Sequence, residues 1–285
     1  MPELPELEVV REVLQRRIAG ETVAEVDVRP PGGPVVVRDL IGQGLQTSLG
    51  GRTFSAVGRR GKFLVFTIEA ESPLFLAINP KLSGRLQLAV AGDKLLPKTH
   101  VVFTLATRRQ LRYLDRKQMG QLYLTRDLTQ VPDYAGLGPE PLDLSLEDFR
   151  SRLKPFRGEI KGILTRGECV AGIGNAYADE ILWAARLHPY RKRTQLTAAE
   201  VERLYSAMRS TLLDAVDKVR VAMQENIERE PRSFMAVHMR AGEPCPRCGT
   251  PISLVGANQR ITNFCRTCQP GGLLKGMPAA NPQDP

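Results

Sequence analysis

The cysteines of CPRCGTPISLVGANQRITNFCRTC stand as C-x2-C-x16-C-x2-C, at Cys245, Cys248, Cys265 and Cys268. Each pair can present two thiolates from one tight turn, and two such turns suit a tetrahedral ion. One structural zinc fits best, because four protein ligands leave no open position for water. An iron centre or two disulfides are the alternatives that this spacing leaves open. Cys169 stands apart and reads as a small buried side chain. A second candidate lies in MPELPELE. With Met1 trimmed, Pro2 is a terminal secondary amine beside the Glu3 carboxylate. That pair is either chemistry or the lead-in to a helix. A third candidate is the glycine turn of VAGIGNAYADEIL, from Gly172 to Asn175. Glycines let a backbone approach closely, and the N–H groups at a helix start favour an anion. Asn175 there caps the helix or donates to a phosphate. Arg260, between the cysteine pairs, can reach a phosphate or stay solvated. Lys62, in RRGKFL, taken alone reads as a solvated strand lysine.

Positioning such groups takes more than one domain, and 285 residues allow two or three. The net charge of +9 points to a polyanionic partner, and a 42% hydrophobic share supports real cores. No apolar run reaches the ~18 residues of a membrane span. Glu3, Glu6, Glu8 and Glu12 argue against a secretory leader. Clustered cysteines argue for a metal site in a reducing, cytoplasmic compartment rather than a disulfide scaffold.

Pro5 suits a first helical turn, Leu7, Val10, Leu14 and Ile18 recur at helical spacing, and Gly20 ends the run. To about residue 130 the chain reads as strands: ETVAEVDVR, GPVVVRDL, RTFSAVGRRGKFLVFTIEA, PLFLAINPKLSGRLQLAV, HVVFTLAT and RQLRYLDRKQMGQLYLT. Their spacing predicts a sandwich or barrel. VPDYAGLGPEPLD is a connector. Beyond it, Ser145 reads as an N-cap and Thr197 with Glu200 as a capping box. The absence of glycine between Asn175 and Gly242 predicts long helices. The fold class is therefore α+β: an N-terminal helix with a β-sandwich over 2–131, a helical domain over 132–241, a zinc-binding β-hairpin over 242–269, and a disordered tail over 270–285.

These blocks together resemble the formamidopyrimidine-DNA glycosylases of the Fpg/MutM type, within the wider Fpg/Nei family. MPELPELE is similar to the family's opening, RRGKFL to its catalytic-lysine segment and LGPEPL to its connector. VAGIGNAYADEIL resembles its helix–two-turn–helix motif, and the cysteine stretch its zinc finger. The resemblance implies a bifunctional enzyme of base excision repair that acts as a monomer on damaged duplex DNA. It would remove oxidised purines and nick the strand by β,δ-elimination. Pro2 is then the Schiff-base nucleophile and Glu3 the acid/base at the sugar ring oxygen. A terminal α-amine titrates near 7.7–8.0, against about 10.4 for Lys, so more of it is neutral at pH 7. Lys62 is the proton donor for base loss and β-elimination. Glu6 is a further carboxylate with its role open. Arg260 serves phosphate binding and δ-elimination, and Lys161 and Asn175 match phosphate-contacting positions.

The chain departs from the family pattern where the hole left by a flipped nucleotide is filled. Leu82 replaces a Met, Lys117 an Arg and Met119 a Phe. Lys lacks the planar fork that reads a base edge, so rejection of the wrong opposite base should weaken. Lys98 stands for a family histidine and can still hold a phosphate. MQENIEREPRSFMAVHMRAG lacks the glycine-rich lid loop. Two other readings stand beside this one: a Nei-type enzyme for oxidised pyrimidines or abasic sites, and a non-catalytic DNA-binding zinc protein. The latter predicts loss of Pro2, Glu3 or Lys62, and all three are present.

Overall fold

A computed structural model describes residues 1–256 and 261–271. Its contacts divide the chain into two units, 1–140 with 213–233, and 141–212 with 234–285. Arg260 and the tail from 272 lie outside the described residues. Among the described residues no helix is long and apolar enough to cross a membrane.

The first unit opens on α1 (Leu4–Ile18), with Pro5 in its first turn and the expected stripe of Leu7, Val10, Leu14 and Ile18 buried. The stripe packs on the sheet through β3. The chain continues through β1 (Val23–Val28), α2 (Gly32–Val36), β2 (Val37–Asp39), α3 (Leu45–Leu49), β3 (Phe54–Arg60) and β4 (Phe63–Ile68). Then come β5 (Phe75–Asn79), β6 (Gly84–Val90), β7 (Thr99–Leu105), β8 (Arg109–Asp115) and β9 (Gln121–Thr125). They form two sheets, in the orders β1-β7-β8-β6 and β2-β9-β5-β4-β3. Phe54, which packs on Phe66 of its own sheet, meets Phe103 of the other, with Phe54–Phe103 centroids 6.3 Å apart. The α+β sandwich is thus present, as alternating apolar strands broken by Gly and Pro dictate.

GPVVVRDL departs from its expected strand: residues up to Val36 are helical, and only Val37–Asp39 pair, parallel to β9. The reason is close approach. A Cβ on Gly32 would come within 2.2 Å of the His100 ring, and one on Gly33 within 2.8 Å of His100 O. The segment's start thus lies hard against β7, where only glycine fits, and the β-propensity of the valines does not decide its conformation.

The second unit holds α4 (Leu146–Leu153), α5 (Ile160–Thr165) and α6 (Asn175–Ala184). α7 (Ala198–Met223) follows, 26 residues or about 39 Å long, and the division between units falls within it. Ser145 caps α4, accepting from Asp148 N at 3.1 Å. Thr197 and Glu200 form the expected box at α7, with bonds of 2.8 and 3.2 Å. The glycine-free stretch beyond Met223 is not helical, however. β10 (Ser253–Val255) and β11 (Thr262–Phe264) pair antiparallel, making the expected hairpin.

Candidate active site and metal centre

In the first unit Pro2 is buried at the start of α1, facing the positive end of a helix dipole, which disfavours an ammonium there. Glu3 is the N-cap, and Glu6 turns back to accept from Glu3 N at 2.9 Å in a capping box. The role left open for Glu6 is therefore partly structural: it fixes the Glu3 backbone. Both carboxylates are 1% exposed and face Arg232, at 4.0 Å from Glu3 and 3.3 Å from Glu6. Arg232 also pairs with Glu230 at 2.8 Å, and Glu230 pairs with Arg85 as well. The Met1 ammonium lies 3.0 Å from Glu230 and titrates near 5 instead of 8. Burial is the main cause, followed by Arg232 and Arg85, against the opposing pull of Glu3 and Glu6.

Lys62 occupies the two-residue turn Gly61–Lys62 between β3 and β4, rather than the strand it was expected in. Gly61 takes φ +56, a conformation that glycine supplies without a Cβ clash. The turn is clamped by the connector. Glu140 accepts from Gly61 N at 2.6 Å and pairs with Arg59 at 2.7 Å and Arg60 at 3.2 Å. Arg60 also donates to Leu137 O and Gly138 O, at 3.0 and 2.6 Å. Burial depresses the Lys62 pKa, and the neighbouring charges it feels include Glu3, Arg232 and Glu6. The turn thus places Lys62 where it feels the Glu3 and Glu6 carboxylates, as an ammonium that burial makes readier to release its proton.

The void-filling candidates sit on two loops of the same unit. Leu82 is half-buried in the β5–β6 turn, Lys117 is exposed in the β8–β9 loop, and Met119 is 46% exposed. Ser83 binds Asp115 and accepts from Lys117 N at 3.0 Å, which joins the loops. Asp115 also accepts from Gly120 N at 2.7 Å and donates its own N–H to Lys98 O at 3.0 Å. Lys98 is exposed. Gly120 cannot carry a side chain, since its Cβ would fall 1.8 Å from the Tyr113 hydroxyl. A narrow cavity of about 20 Å3 lined by Pro2, Glu6, Leu64, Ile78 and Arg85 admits water-sized molecules, not a base.

In the second unit Asn175 is the first residue of α6, and Gly174 is the cap. The Asn175 amide donates to Ile261 O at 2.8 Å. Lys161 is 7% exposed and donates to the same carbonyl at 2.9 Å and to Thr262 Oγ1 at 2.8 Å. It also pairs with Asp179 at 2.6 Å. Asp179 further accepts from Asn263 N and Nδ2 at 3.2 Å each, and lies 2.9 Å from His238 Nδ1. Glu180 accepts from the backbone N–H groups of Ala236, Val237 and His238, each at 2.8 Å. The two expected phosphate contacts thus hold Ile261 and Thr262 at the start of β11.

The four cysteine Sγ atoms lie within 4.8 Å of one another, with Cys245–Cys268 at 3.9 Å and Cys248–Cys265 at 3.4 Å. Tetrahedral Zn–S bonds of about 2.3 Å require S–S separations of about 3.8 Å, so the quartet fits one zinc. The separations exceed the ~2.05 Å of a disulfide, and all four are free cysteines. Trp183 donates its indole N–H to Cys245 Sγ at 3.4 Å, and Cys268 N to Cys265 Sγ at 3.4 Å, as suits thiolates. Cys169 is buried, and burial raises its thiol to about 11, which leaves it inert.

Sequence reasoning missed Arg85, Glu230, Arg232, Asp179 and Glu140. Asp179 and Glu180 carried a signal, as adjacent acids inside an apolar helix. The EREPR run was seen only as a lid without glycine.

Residues 1–122 match the model of the formamidopyrimidine-DNA glycosylase N-terminal domain, 137–225 that of the H2TH domain of the same enzymes, and 242–271 the zinc finger found in FPG and IleRS. A formamidopyrimidine-DNA glycosylase of Symbiobacterium thermophilum is 38% identical, covering 95% of this chain and 90% of its own length. One of Enterococcus faecalis is 36% identical, covering 97% and 99%. The crystal structure of the MutM (Fpg) protein from Thermus thermophilus aligns with a TM-score of 0.81 at 33% identity, over 95% of this chain and 100% of that one. Lactococcus lactis Fpg, non-covalently bound to DNA containing an AP site, aligns at 0.81 and 30% identity, over 94% and 99%.

Proposed function

The chain belongs to the formamidopyrimidine-DNA glycosylase family, and on that premise we propose how its residues remove an oxidised purine from duplex DNA and nick the strand. The observation that carries the reading is the burial of Pro2 and Glu3 at the start of α1, whose helix packs on β3 and β4, the strands that the Lys62 turn joins. With Met1 removed, the Pro2 nitrogen attacks C1′ of an extruded nucleotide. The N–C1′ bond forms as the glycosidic bond breaks, and the base leaves with a proton from Lys62. The nitrogen sheds its own proton. Glu3 protonates the ring oxygen as the C1′–O4′ bond opens, and the nitrogen lone pair completes an iminium. That cation acidifies C2′–H, and loss of this proton expels the 3′ phosphate. Elimination of the 5′ phosphate follows, with Arg260 holding it. Water then hydrolyses the iminium and returns the free amine.

The zinc held by Cys245, Cys248, Cys265 and Cys268 is structural and takes no part in a chemical step. Lys98, Lys117, Asn175 and Arg260 contact phosphates, Asn175 while gripping Ile261, and Lys161, whose three donors go to Ile261 O, Thr262 Oγ1 and Asp179, reaches a phosphate by giving up one of them. Leu82, Lys117 and Met119 fill the vacated stack from loops that Ser83 ties together. Residues 2–131, 132–241 and 242–269 act as catalytic, helical and zinc-finger domains of a cytoplasmic monomer. Abasic sites and formamidopyrimidines are cut strongly and 8-oxoguanine more slowly, with weak dependence on the opposite base, because lid and fillers are altered.

Borohydride should lock the protein to lesion DNA, with mass spectrometry placing the adduct on Pro2. Retained Met1 or Pro2→Gly should nearly abolish the adduct. An adduct on Lys62 that survives loss of Pro2 would sink the assignment.

A further inference from the structure

The EREPR segment delivers Glu230 and Arg232 to the nucleophile, and the way they meet Met1 carries a second consequence. In the chain as it stands, the Pro2 nitrogen is bonded to the Met1 carbonyl carbon. In the covalent intermediate it is bonded to C1′ instead. The groups around the Met1 carbonyl therefore mark the groups that will surround C1′. Arg232 Nη2 donates to Met1 O at 2.7 Å. Its orientation is fixed on three sides, by Glu230 at 2.8 Å, Glu6 at 3.3 Å and Glu3 at 4.0 Å. Glu230 is in turn tied to Arg85. The Arg232 side chain is 22% exposed, and that of Glu230 14%. Four charged groups thus hold one Arg232 N–H on an oxygen attached to the carbon that Pro2 binds.

We propose that Arg232 is a further catalytic residue, donating to the oxygen on C1′ while Pro2 attacks, and that Glu230 positions it. This rests on Pro2 as the nucleophile. At an abasic site C1′ is an aldehyde carbon. Attack forms the N–C1′ bond and moves the C=O π pair onto oxygen, where the guanidinium stabilises the charge. The proton shed by nitrogen converts that oxygen to the hydroxyl of a carbinolamine. Glu3 then protonates the hydroxyl, water departs and the nitrogen lone pair closes the iminium. On a nucleotide that still bears its base, the same oxygen is O4′. The planar fork of arginine suits this double duty, since one face holds carboxylates and one N–H remains for the oxygen.

The test uses full-length protein with Met1 removed and a duplex carrying one abasic site. Single-turnover borohydride trapping is followed from pH 5 to 9, and affinity is read on a tetrahydrofuran-containing duplex, which cannot react. Removing one such donor typically slows chemistry ~10²–10³-fold. Arg232→Met should slow trapping about 100-fold while affinity changes less than about threefold. Its acid limb should also move to higher pH, since Glu3, Glu6 and Glu230 then face the amine with only Arg85 and Lys62 as cations. Arg232→Lys should restore the limb but only part of the plateau. Should Arg232→Met no longer bind the tetrahydrofuran duplex, Glu230→Gln decides: an about tenfold slower trapping supports the proposal, and an unchanged rate overturns it. Trapping by Arg232→Met at the wild-type rate also overturns it. Failure of the wild-type protein to trap at all would count against the Pro2 reading instead.

Discussion

Replacing Asp179 with Ala should loosen the zinc ribbon's inner strand far more than replacing its partner Lys161 with Met. The Asp179 carboxylate is fully buried, and Lys161 is 9% exposed at its side chain. Without Asp179, the ammonium keeps two neutral acceptors, Ile261 O and Thr262 Oγ1. Asn263 N and Nδ2 lose their acceptor as well. Breaking a buried pair from one side costs about 3–5 kcal/mol, and both losses place Asp179→Ala near 4 kcal/mol. Lys161→Met strands the carboxylate less severely, because Asn263 and His238 still donate to it; about 2 kcal/mol is expected. Lys161→Met with Asp179→Ala removes both charges and should cost less than the two single changes added, with a coupling of about 2 kcal/mol or more. A chain of two units need not unfold in one step, so whole-protein melting is a poor readout. Native-state hydrogen exchange at the amides of Asn263 and Cys265 reports the local opening energy directly. An Asp179→Ala penalty under about 1 kcal/mol, or strict additivity in the double variant, would refute the reasoning. The Lys161→Met protein serves a second purpose: a phosphate contact requires its salt slope for DNA binding to fall by about 0.9.

Three other outcomes are expected. Cys265→Ser, or chelation of zinc, should release the metal and weaken DNA binding strongly while circular dichroism retains the β-signal of the first unit; full binding by metal-free protein contradicts a DNA-holding finger. The acid limb of trapping should lie below the ~8 of a free α-amine, since burial at Pro2 and the nearby Arg232 and Arg85 cations disfavour an ammonium there and keep the nucleophile neutral until the pH falls through its lowered pKa; a limb at or above ~8 would show an amine unperturbed by its site. Glu140→Ala should cut single-turnover base excision about tenfold or more, because the Lys62 turn loses its clamp, while the abasic-site adduct still forms on Pro2; equal losses in both assays would mean general disorder.

Much of the molecule is written in local signals. The stripe of Leu7, Val10, Leu14 and Ile18 sets α1, and Ser145 and Thr197 set the starts of α4 and α7. The cysteine spacing sets the zinc site, because two sulfurs per turn is a property of the few residues between them. Such signals work because their partners lie three or four residues away. Other features were decided only by packing. Gly32–Val36 is helical where a strand is expected, and His100, far along the chain, leaves no room for a Cβ on Gly32. Lys62 sits in a turn because Glu140, in the connector, draws in Gly61. Asn175 and Lys161 carry the residue types of phosphate contacts, yet their polar atoms grip Ile261, a hundred residues from Lys161. Arg232 reaches Met1 across 231 positions. A sequence states which charges exist; which of them lose water together, and so shift one another's pKa and hold one another in place, is fixed only when distant segments share one dry site.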